Sequence, residues 1–283
     1  MENNLNTTVN NNFKIATLKI ASIQMISCSN DPQKNLDDAA KLVTAASNQG
    51  AELAVLPEFF IQMSSNNTDV ASLAETLGCG KIQDQLSKIA YKNNIFLVAG
   101  TIPTKSPEAN KYYNTCIVYN PSGEMVCHYN KIHLFKYADD TQNFDEGRTF
   151  TSGNDIVTFV AKNFNFGLSI CYDLRFPELF RKMAGVDCII MPAAFVYHTG
   201  KAHWEILLRA RAIENQCYII ASDQGGIHDN GRHTFGHSMI IDPWGKVDNM
   251  LIEDEGVVMG IMEKDTINNV RQQLQALQHR HNI

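Results

Sequence analysis

The 283-residue sequence predicts an α/β fold, and two patterns along the chain support that prediction. Short, continuously apolar segments such as "LAVLP" (53–57) and "IFLVAG" (95–100) are typical of strands buried on both faces. They alternate with longer segments in which apolar residues recur every three or four positions, as in helices that cover a sheet. Helices packed on the outside of a sheet account for both patterns.

The predicted elements follow one another without a long gap. The first are a strand at 18–25, an amphipathic helix at 36–48 and a second helix at 81–93. Two hairpins turn on "NPSG" and "DPWG", which suggests that the halves of the chain are structural analogues, although this turn is common in unrelated hairpins. The other predicted elements are hairpins at 114–130 and 236–250, strands at 156–160, 166–170, 188–191, 217–222 and 256–262, and helices near 177–184 and 201–215.

The domain organisation is predicted to be simple. Residues 1–13 are polar and lack the apolar core of a secretory signal, so we expect a disordered leader. No linker, charge block or low-complexity segment interrupts 14–270, which predicts a single domain. The tail, 271–283, ends in the polar "QHRHN", and we expect it to contact a partner subunit.

Composition excludes several classes of protein. The net charge is −6 and no Lys/Arg block occurs, which argues against nucleic acid or an anionic membrane as partner. The longest apolar stretch, "CIIMPAAFVY", is far shorter than the roughly 20 residues that a membrane span needs. The seven cysteines include no CxxC pair, which indicates reduced thiols and a cytoplasmic protein.

One cysteine lies where a strand gives way to a helix. Cys171 follows the apolar "FGLSI" and precedes "YDLRFPELF". The free N–H groups and the dipole of a helix N-terminus favour a thiolate, so the position suits a nucleophile. A buried structural cysteine is the alternative.

Two charged residues stand in apolar surroundings elsewhere in the chain. Glu58 follows an apolar strand and precedes two phenylalanines, which suits a general base. Lys131, in "HYNKIHLF", offers an ammonium that stabilises an oxyanion or favours a nearby thiolate. Taken alone, each is also compatible with an ordinary surface charge.

Three stretches, in this order, resemble the Glu–Lys–Cys signature of the nitrilase superfamily of carbon–nitrogen hydrolases. They are "PEFF" (57–60), "YNKIHLF" (129–135) and "CYDLRFPEL" (171–179), and the resemblance covers about residues 17–275. It implies a four-layer α-β-β-α sandwich, in which two sheets face each other and helices cover both outsides. It also implies a homodimer or a higher homo-oligomer.

Within the superfamily, the sequence is most similar to the Nit branch, on the side of the enzymes that hydrolyse deaminated glutathione. The stretches "AHWEILLRARAIENQCYIIASDQGG" (202–226) and "GHSMIIDPWG" (236–245) carry this resemblance. It implies an amidase that converts a small carboxylate-bearing amide to an acid and ammonia through a cysteine thioester. One alternative is an ω-amidase acting on α-ketoglutaramate or α-ketosuccinamate, and another is a catalytically silent metabolite-binding protein.

The resemblance also implies roles for individual residues. Glu58 is the general base and Cys171 the nucleophile. Lys131 and the backbone N–H of Tyr172 hold the oxyanion, and Glu146 orients Lys131 and the substrate amide. This chemistry requires no metal ion and no organic cofactor.

The second acidic residue and the pocket are less closely specified. The loop around Glu146 departs from the family pattern, and Asp139, Asp140 and Asp145 are alternatives to it. Arg175, one helical turn past the cysteine, is expected to bind a substrate carboxylate, with an ion pair to Asp173 or Glu178 as its alternative role. The other predicted pocket residues are Tyr172, Phe195, Thr199 and His203, with Arg232 in a loop that closes over the substrate.

Two other hydrolase classes fit less well. A papain-like protease needs a histidine partner for its cysteine, and none of the nine histidines falls in such a signature. His233 and His237 are four apart, as zinc ligands on a helix can be, but they lead into a predicted strand.

Overall fold

The structure is a computed structural model that describes residues 16–64, 66–138 and 143–281. The predicted leader, Asp139 and Asp140 lie outside the described residues. The strands are β1 (Thr17–Gln24), β2 (Leu53–Val55), β3 (Phe96–Val98), β4 (Ile102–Lys105), β5 (Tyr112–Tyr119), β6 (Met125–Asn130), β7 (Lys136–Ala138), β8 (Asn143–Asp145), β9 (Thr158–Ala161), β10 (Phe164–Leu168), β11 (Cys188–Ala193), β12 (Tyr218–Asp223), β13 (Gly225–Ile227), β14 (His233–Phe235), β15 (Ser238–Ile241), β16 (Val247–Leu251) and β17 (Gly256–Glu263). The helices are α1 (Pro32–Asn48), α2 (Asn67–Ala71), α3 (Lys81–Asn93), α4 (Pro177–Lys182), α5 (Tyr197–Asn215) and α6 (Lys264–Gln273), and short 3₁₀ turns form at Glu146–Arg148 and Cys171–Arg175.

Two large mixed sheets contain most of these strands. The first has the order β17-β1-β2-β3-β5-β4, with β6 also paired to β5. The second has the order β16-β15-β12-β11-β10-β9. In the first sheet β1, β2 and β3 are parallel, and in the second β10, β11 and β12 are parallel. The first half of the chain therefore builds one sheet, apart from β17, and the second half builds the other.

The sheets pack face to face through an apolar layer, because their inward side chains belong to one hydrophobic cluster. Two buried hydroxyls also join them, since Ser22 donates to the carbonyl of Ala221 (2.7 Å) and Ser222 donates to that of Val55 (3.1 Å). Apolar faces of α1 and α3 cover the first sheet, and those of α4 and α5 cover the second. The result is the predicted four-layer α-β-β-α sandwich.

Most predicted elements form close to their predicted limits. The helix at 81–93 has the expected bounds, and both predicted hairpins form. Two helices begin four residues early, α1 because Asp31 caps it and Pro32 starts it, and α5 at Tyr197. The short pairs β7–β8 and β13–β14 were not predicted. No helix in the described part of the chain is long and apolar enough to cross a membrane.

The start of the predicted tail packs on its own chain. Arg271, in α6, donates hydrogen bonds to the carbonyls of Gln216 and Val186. Further along, Gln216 donates to the carbonyl of Leu274. The end of α6 is thus fixed against the second half of the sandwich.

Candidate active site

A buried carboxylate stands at the carboxyl end of β2. Glu58 is 1% exposed and is held from three sides. Its Oε1 accepts hydrogen bonds from Lys131 Nζ and Asn114 Nδ2, both at 2.8 Å, and its Oε2 accepts one from the backbone N–H of Ala194 at 3.0 Å. The donors come from β5 and from the segments that follow β6 and β11, so the orientation of the carboxylate depends on both sheets. Sequence reasoning missed Asn114, whose role comes from a contact 56 residues away along the chain.

Lys131 follows β6 and lies beneath the site, with 1% of its surface exposed. Its ammonium also contacts Glu146, at 2.9 Å from Oε2. Burial opposes the charge on this lysine, but the neighbouring carboxylates of Glu146 and Glu58 outweigh it, and the pKa is raised well above its usual value. Lys131 is therefore an ammonium throughout the neutral range.

Glu146 is the acidic residue of its loop that reaches the lysine. Its carboxylate also accepts from the backbone N–H of Phe135 at 2.8 Å, which fixes the 3₁₀ turn against the strand end. Burial raises the pKa of Glu146, and the charge of Lys131 counteracts this only in part. Asp145, the described alternative, points outward and pairs with Lys136 at 3.0 Å.

Cys171 begins a 3₁₀ turn three residues past β10, with a φ of +46°. This left-handed conformation is strained for a residue with a side chain, and such strain is common at functional sites. Burial raises the pKa of the thiol well above its usual value, Glu58 adds to the effect, and Lys131 opposes it. The expectation that a helix N-terminus would favour the thiolate is wrong, because the turn is short and burial dominates. At rest the group is a thiol.

A third buried carboxylate, Asp173, ties the strand ends together, a role that sequence reasoning did not assign to it. Asp173 accepts hydrogen bonds from the Ile170 N–H (2.9 Å), the Tyr129 hydroxyl (2.8 Å) and the backbone N–H of His133 (3.0 Å), and its Oδ1 is 2.7 Å from His133 Nδ1. It joins the segment that carries the lysine to the turn that carries the cysteine. With its oxygens used in this way, it is not a partner for Arg175.

Arg175 faces the same cavity as the cysteine. Its guanidinium lies 5.3 Å from the ring centroid of Phe195 and 5.7 Å from that of Tyr172, and Nη1 is 3.2 Å from His203 Nδ1. Within the described ranges it forms no ion pair, so the alternative role as a structural partner of Asp173 or Glu178 is not observed. A cation held by aromatic rings without a carboxylate partner is available to an anionic ligand.

Several of these residues line an inner cavity of about 40 Å³, whereas predicted Lys131 and His203 are not among its described wall residues. That volume admits only a small polar group, so a longer substrate must extend out of it. The cavity brings together seven predicted site residues: Glu58, Glu146, Cys171, Tyr172, Arg175, Phe195 and Thr199. Predicted Arg232 also lines it, as do five residues that sequence reasoning did not assign to the pocket: Phe59, Phe135, Phe144, Ala194 and Val196.

The two histidines considered as zinc ligands do not share a helix. His233 starts β14 and stacks on Tyr197, with ring centroids 3.9 Å apart. His237 lies past the strand, and its Nδ1 is 2.8 Å from the carbonyl oxygen of Phe235. The zinc site considered above needs both histidines on one face of a helix, and this segment does not form that helix.

With this geometry established, comparison with known proteins identifies the family. The carbon-nitrogen hydrolase family model matches residues 19–272. The chain belongs to the carbon–nitrogen hydrolase family. The predicted membership of the nitrilase superfamily is thereby confirmed.

Individual relatives of this carbon–nitrogen hydrolase agree with the assignment. A deaminated glutathione amidase of Synechocystis is 41% identical over 92% of the chain and 97% of its own length. A mouse omega-amidase is 34% identical over 94% of the chain and 96% of its own length. The crystal structure of Saccharomyces cerevisiae Nit3, a nitrilase superfamily member, superposes with a TM-score of 0.86 at 32% identity, covering 94% of this chain and 97% of that one. The protein is a hydrolytic amidase with the nitrilase fold.

Proposed function

We propose that this amidase hydrolyses deaminated glutathione, with Glu58, Lys131 and Cys171 as its catalytic residues. The observation that carries the proposal is the buried Glu58–Lys131 ion pair, whose carboxylate lines one cavity together with the Cys171 thiol. The substrate follows from the similarity to the Synechocystis deaminated glutathione amidase. A cation in the cavity wall, Arg175, fits a substrate that carries carboxylates.

In the first half-reaction, Glu58 accepts the thiol proton of Cys171 as the sulfur attacks the amide carbonyl carbon. The raised thiol pKa fits a proton transfer to Glu58 that accompanies the attack of the sulfur. Lys131 Nζ and the backbone N–H of Tyr172 then stabilise the oxyanion of the tetrahedral intermediate. Glu146 holds the ammonium in place from the opposite side to Glu58.

Collapse of the intermediate breaks the carbon–nitrogen bond, and Glu58 returns its proton to the leaving nitrogen. For deaminated glutathione the leaving group is the amine of cysteinylglycine, because deamination alters only the α-amino group of the glutamyl residue. Ammonia leaves instead when the substrate is a primary amide such as α-ketoglutaramate. In both reactions the same acyl group stays on Cys171 as a thioester.

In the second half-reaction, Glu58 removes a proton from water, and the resulting hydroxide attacks the thioester carbon. Release of the carboxylic acid restores the thiol. We assign the α-keto acid end of the substrate to Arg175, which lies on the same turn as the nucleophile. Tyr172, Phe195 and Thr199 shape the wall around that end.

An ω-amidase is the second candidate, supported by the 34% identity to the mouse omega-amidase. The two candidates share the acyl group and differ in the leaving group. Assays of the purified protein with deaminated glutathione, α-ketoglutaramate and an N-carbamoyl amino acid separate them. We expect the highest kcat/KM for deaminated glutathione, with α-ketoglutarate and cysteinylglycine formed in equal amounts. Tenfold faster turnover of α-ketoglutaramate would favour the ω-amidase, and no turnover of any amide would favour a silent binding protein.

The cellular setting and the assembly are also proposals. All seven cysteines are free thiols, which supports a reducing compartment such as the cytoplasm. Ile206 on α5 is 70% exposed and Trp244, in the turn before β16, is 60% exposed, which supports a homodimer or higher homo-oligomer. We propose that the part of the tail, 271–283, beyond the residues packed on their own chain contacts the partner subunit. Light scattering of the full chain tests the oligomeric state. Light scattering of a version ending at residue 274 tests whether the tail contributes to the interface.

A further inference from the structure

A second cavity opens directly outside the inner one. Its volume is about 480 Å³, within the range of about 300–1,000 Å³ that is usual for small-molecule sites. The two cavities share three wall residues, Phe144, Val196 and Arg232. A molecule that reacts at the cysteine and is too long for the inner cavity would therefore enter this outer cavity.

The cation at the junction of the two cavities is Arg232, in the loop between β13 and β14. One of its Nη atoms donates to the carbonyl of Ser64 at 2.6 Å, and the guanidinium lies 5.6 Å from the Phe144 ring centroid. Over residues 16–64, 66–138 and 143–281, no ion pair includes this arginine. Its remaining N–H donors are thus available to an anion.

The loop that carries Arg232 is held in place by its neighbours. His228 bridges it to the core, with Nδ1 2.8 Å from the carbonyl oxygen of Ser27 and Nε2 2.8 Å from the Thr234 hydroxyl. Asn230 donates to the carbonyl of Met63 at 2.8 Å. An arginine on a loop fixed in this way forms a preorganised site, which reduces the entropy lost on binding.

We propose that the outer cavity binds the leaving group of the amide, a short peptide amine that ends in a carboxylate, and that Arg232 pairs with that carboxylate. The inference rests on the proposed function and extends it. An amide substrate with a carboxylate at each end needs two cations, and the site offers Arg175 on the nucleophile turn and Arg232 on a different loop. The cavity thereby selects a peptide amide over a primary amide, whose leaving group is only ammonia.

The test compares deaminated glutathione with an analogue in which the terminal glycine carboxylate is a carboxamide. In the unaltered enzyme the analogue should lose about 10- to 100-fold in kcat/KM, since a hydrogen bond to a charged group contributes about 1.5–3 kcal/mol. In Arg232→Gln, which keeps an N–H donor for the Ser64 carbonyl, the ratio between the two substrates should approach one. Arg232→Lys keeps the charge and should retain part of the discrimination.

A matched control removes a guanidinium outside both cavities. Arg209 on α5 donates to the carbonyl of Gly245 at 2.8 Å, and Arg209→Gln should keep the discrimination of the unaltered enzyme. The inference is overturned if the carboxamide penalty persists in Arg232→Gln, or if it disappears in Arg175→Gln instead. It is also overturned if Arg232→Gln lowers kcat/KM equally for deaminated glutathione and α-ketoglutaramate. Arg232 would then act through its electrostatic interaction with Glu58 and Glu146 and not by binding the leaving group.

The proposed function fails in a different way. If the unaltered enzyme does not hydrolyse deaminated glutathione, the proposed function is refuted, and the inference with it. If it does hydrolyse that substrate, the ratios above decide the inference alone. Melting temperatures of the variants show whether any loss of activity comes from unfolding.

Discussion

The two sheets supply different kinds of group to the candidate active site, held in different ways. The ends of strands in the first sheet provide Glu58 and Lys131, which are bonded to each other at 2.8 Å. The second sheet provides Cys171, buried in a strained conformation with its proton retained. The charged pair is therefore part of what stabilises the fold, whereas the thiol is held by the backbone around it. Substitutions of Glu58 or Lys131 should therefore alter both stability and rate, whereas substitution of the Cys171 thiol should alter rate alone.

The two predicted hairpins sharpen this contrast. In the first, the Gly123 N–H donates to the Asn120 carbonyl, and in the second, the Gly245 N–H donates to the Asp242 carbonyl, each at 2.9 Å. The local turns are the same, as the sequence indicated. Only the first hairpin continues into Lys131, whereas the second ends at the edge strand of its sheet. Similar local structure thus leads into the candidate active site in one half and ends at a sheet edge in the other.

Removal of the thiol should give the largest loss of rate. Cys171→Ala takes away the group that forms the covalent bond, so kcat should fall by about 10⁴-fold or more. The free energy of unfolding should change by less than about 1 kcal/mol, because no charge or hydrogen-bond network is broken. Turnover and denaturant unfolding of the same preparation check both parts. More than about one per cent residual activity would contradict the role of the thiol.

Glu58→Gln should slow the reaction by about 10²- to 10⁴-fold, since general base catalysis contributes a factor of this size. Stability should also fall, by about 1–3 kcal/mol, because the amide nitrogen of Gln cannot accept the hydrogen bonds that now reach both oxygens of Glu58. Steady-state kinetics and chemical unfolding measure the two effects. A variant with near-normal kcat would show that another group moves the proton.

Lys131→Met should lower kcat by about 10²- to 10³-fold, the usual effect of losing one oxyanion contact. It should also destabilise the protein by about 3–5 kcal/mol, because two buried carboxylates lose their counter-charge. Adding Glu146→Gln to this variant should restore part of the stability and none of the rate. An unchanged unfolding midpoint in Lys131→Met would mean that the pair does not contribute to folding.

The smallest effect concerns acid stability. Burial lowers the pKa of His228 from 6.5 to about 4, with the charges of Arg232 and His233 contributing further. The unfolded chain therefore binds a proton below pH 6.5 that the folded chain does not take up until about pH 4, and stability falls as the pH drops through that window. At about 1.4 kcal/mol per pKa unit the loss approaches roughly 3 kcal/mol. His228→Gln should flatten this dependence, as measured by urea unfolding at pH 7.5 and 4.5.

Sequence patterns predicted the elements, and singled out three candidate catalytic residues, for a physical reason. Strands and helices follow local periodicity, and the helix at 81–93 could be placed from its apolar spacing. Glu58, Lys131 and Cys171 were found because each stands at a strand end in an unusual local sequence. Their common location came from the ordered resemblance to a family. Nothing local to any one stretch indicated it.

Other features depend on contacts between distant parts of the chain. Asn114 reaches Glu58 only because β2 and β5 belong to the same sheet, where a single strand, β3, separates them. Three of the four contacts of Asp173 join segments about 40 residues apart. The thiol pKa was misjudged because burial, which is a property of the assembled sandwich, outweighs the local effect of the turn. Contacts and burial of this kind arise only when the two sheets are packed together.

The most direct test of the account is partitioning by hydroxylamine, which converts a thioester to a hydroxamate. Deaminated glutathione and α-ketoglutaramate should leave the same acyl group on Cys171. At a fixed hydroxylamine concentration, both substrates should therefore give the same ratio of hydroxamate to free acid, although their rates differ. A ratio that differs between the two substrates, or turnover without any hydroxamate, would contradict a common thioester on Cys171.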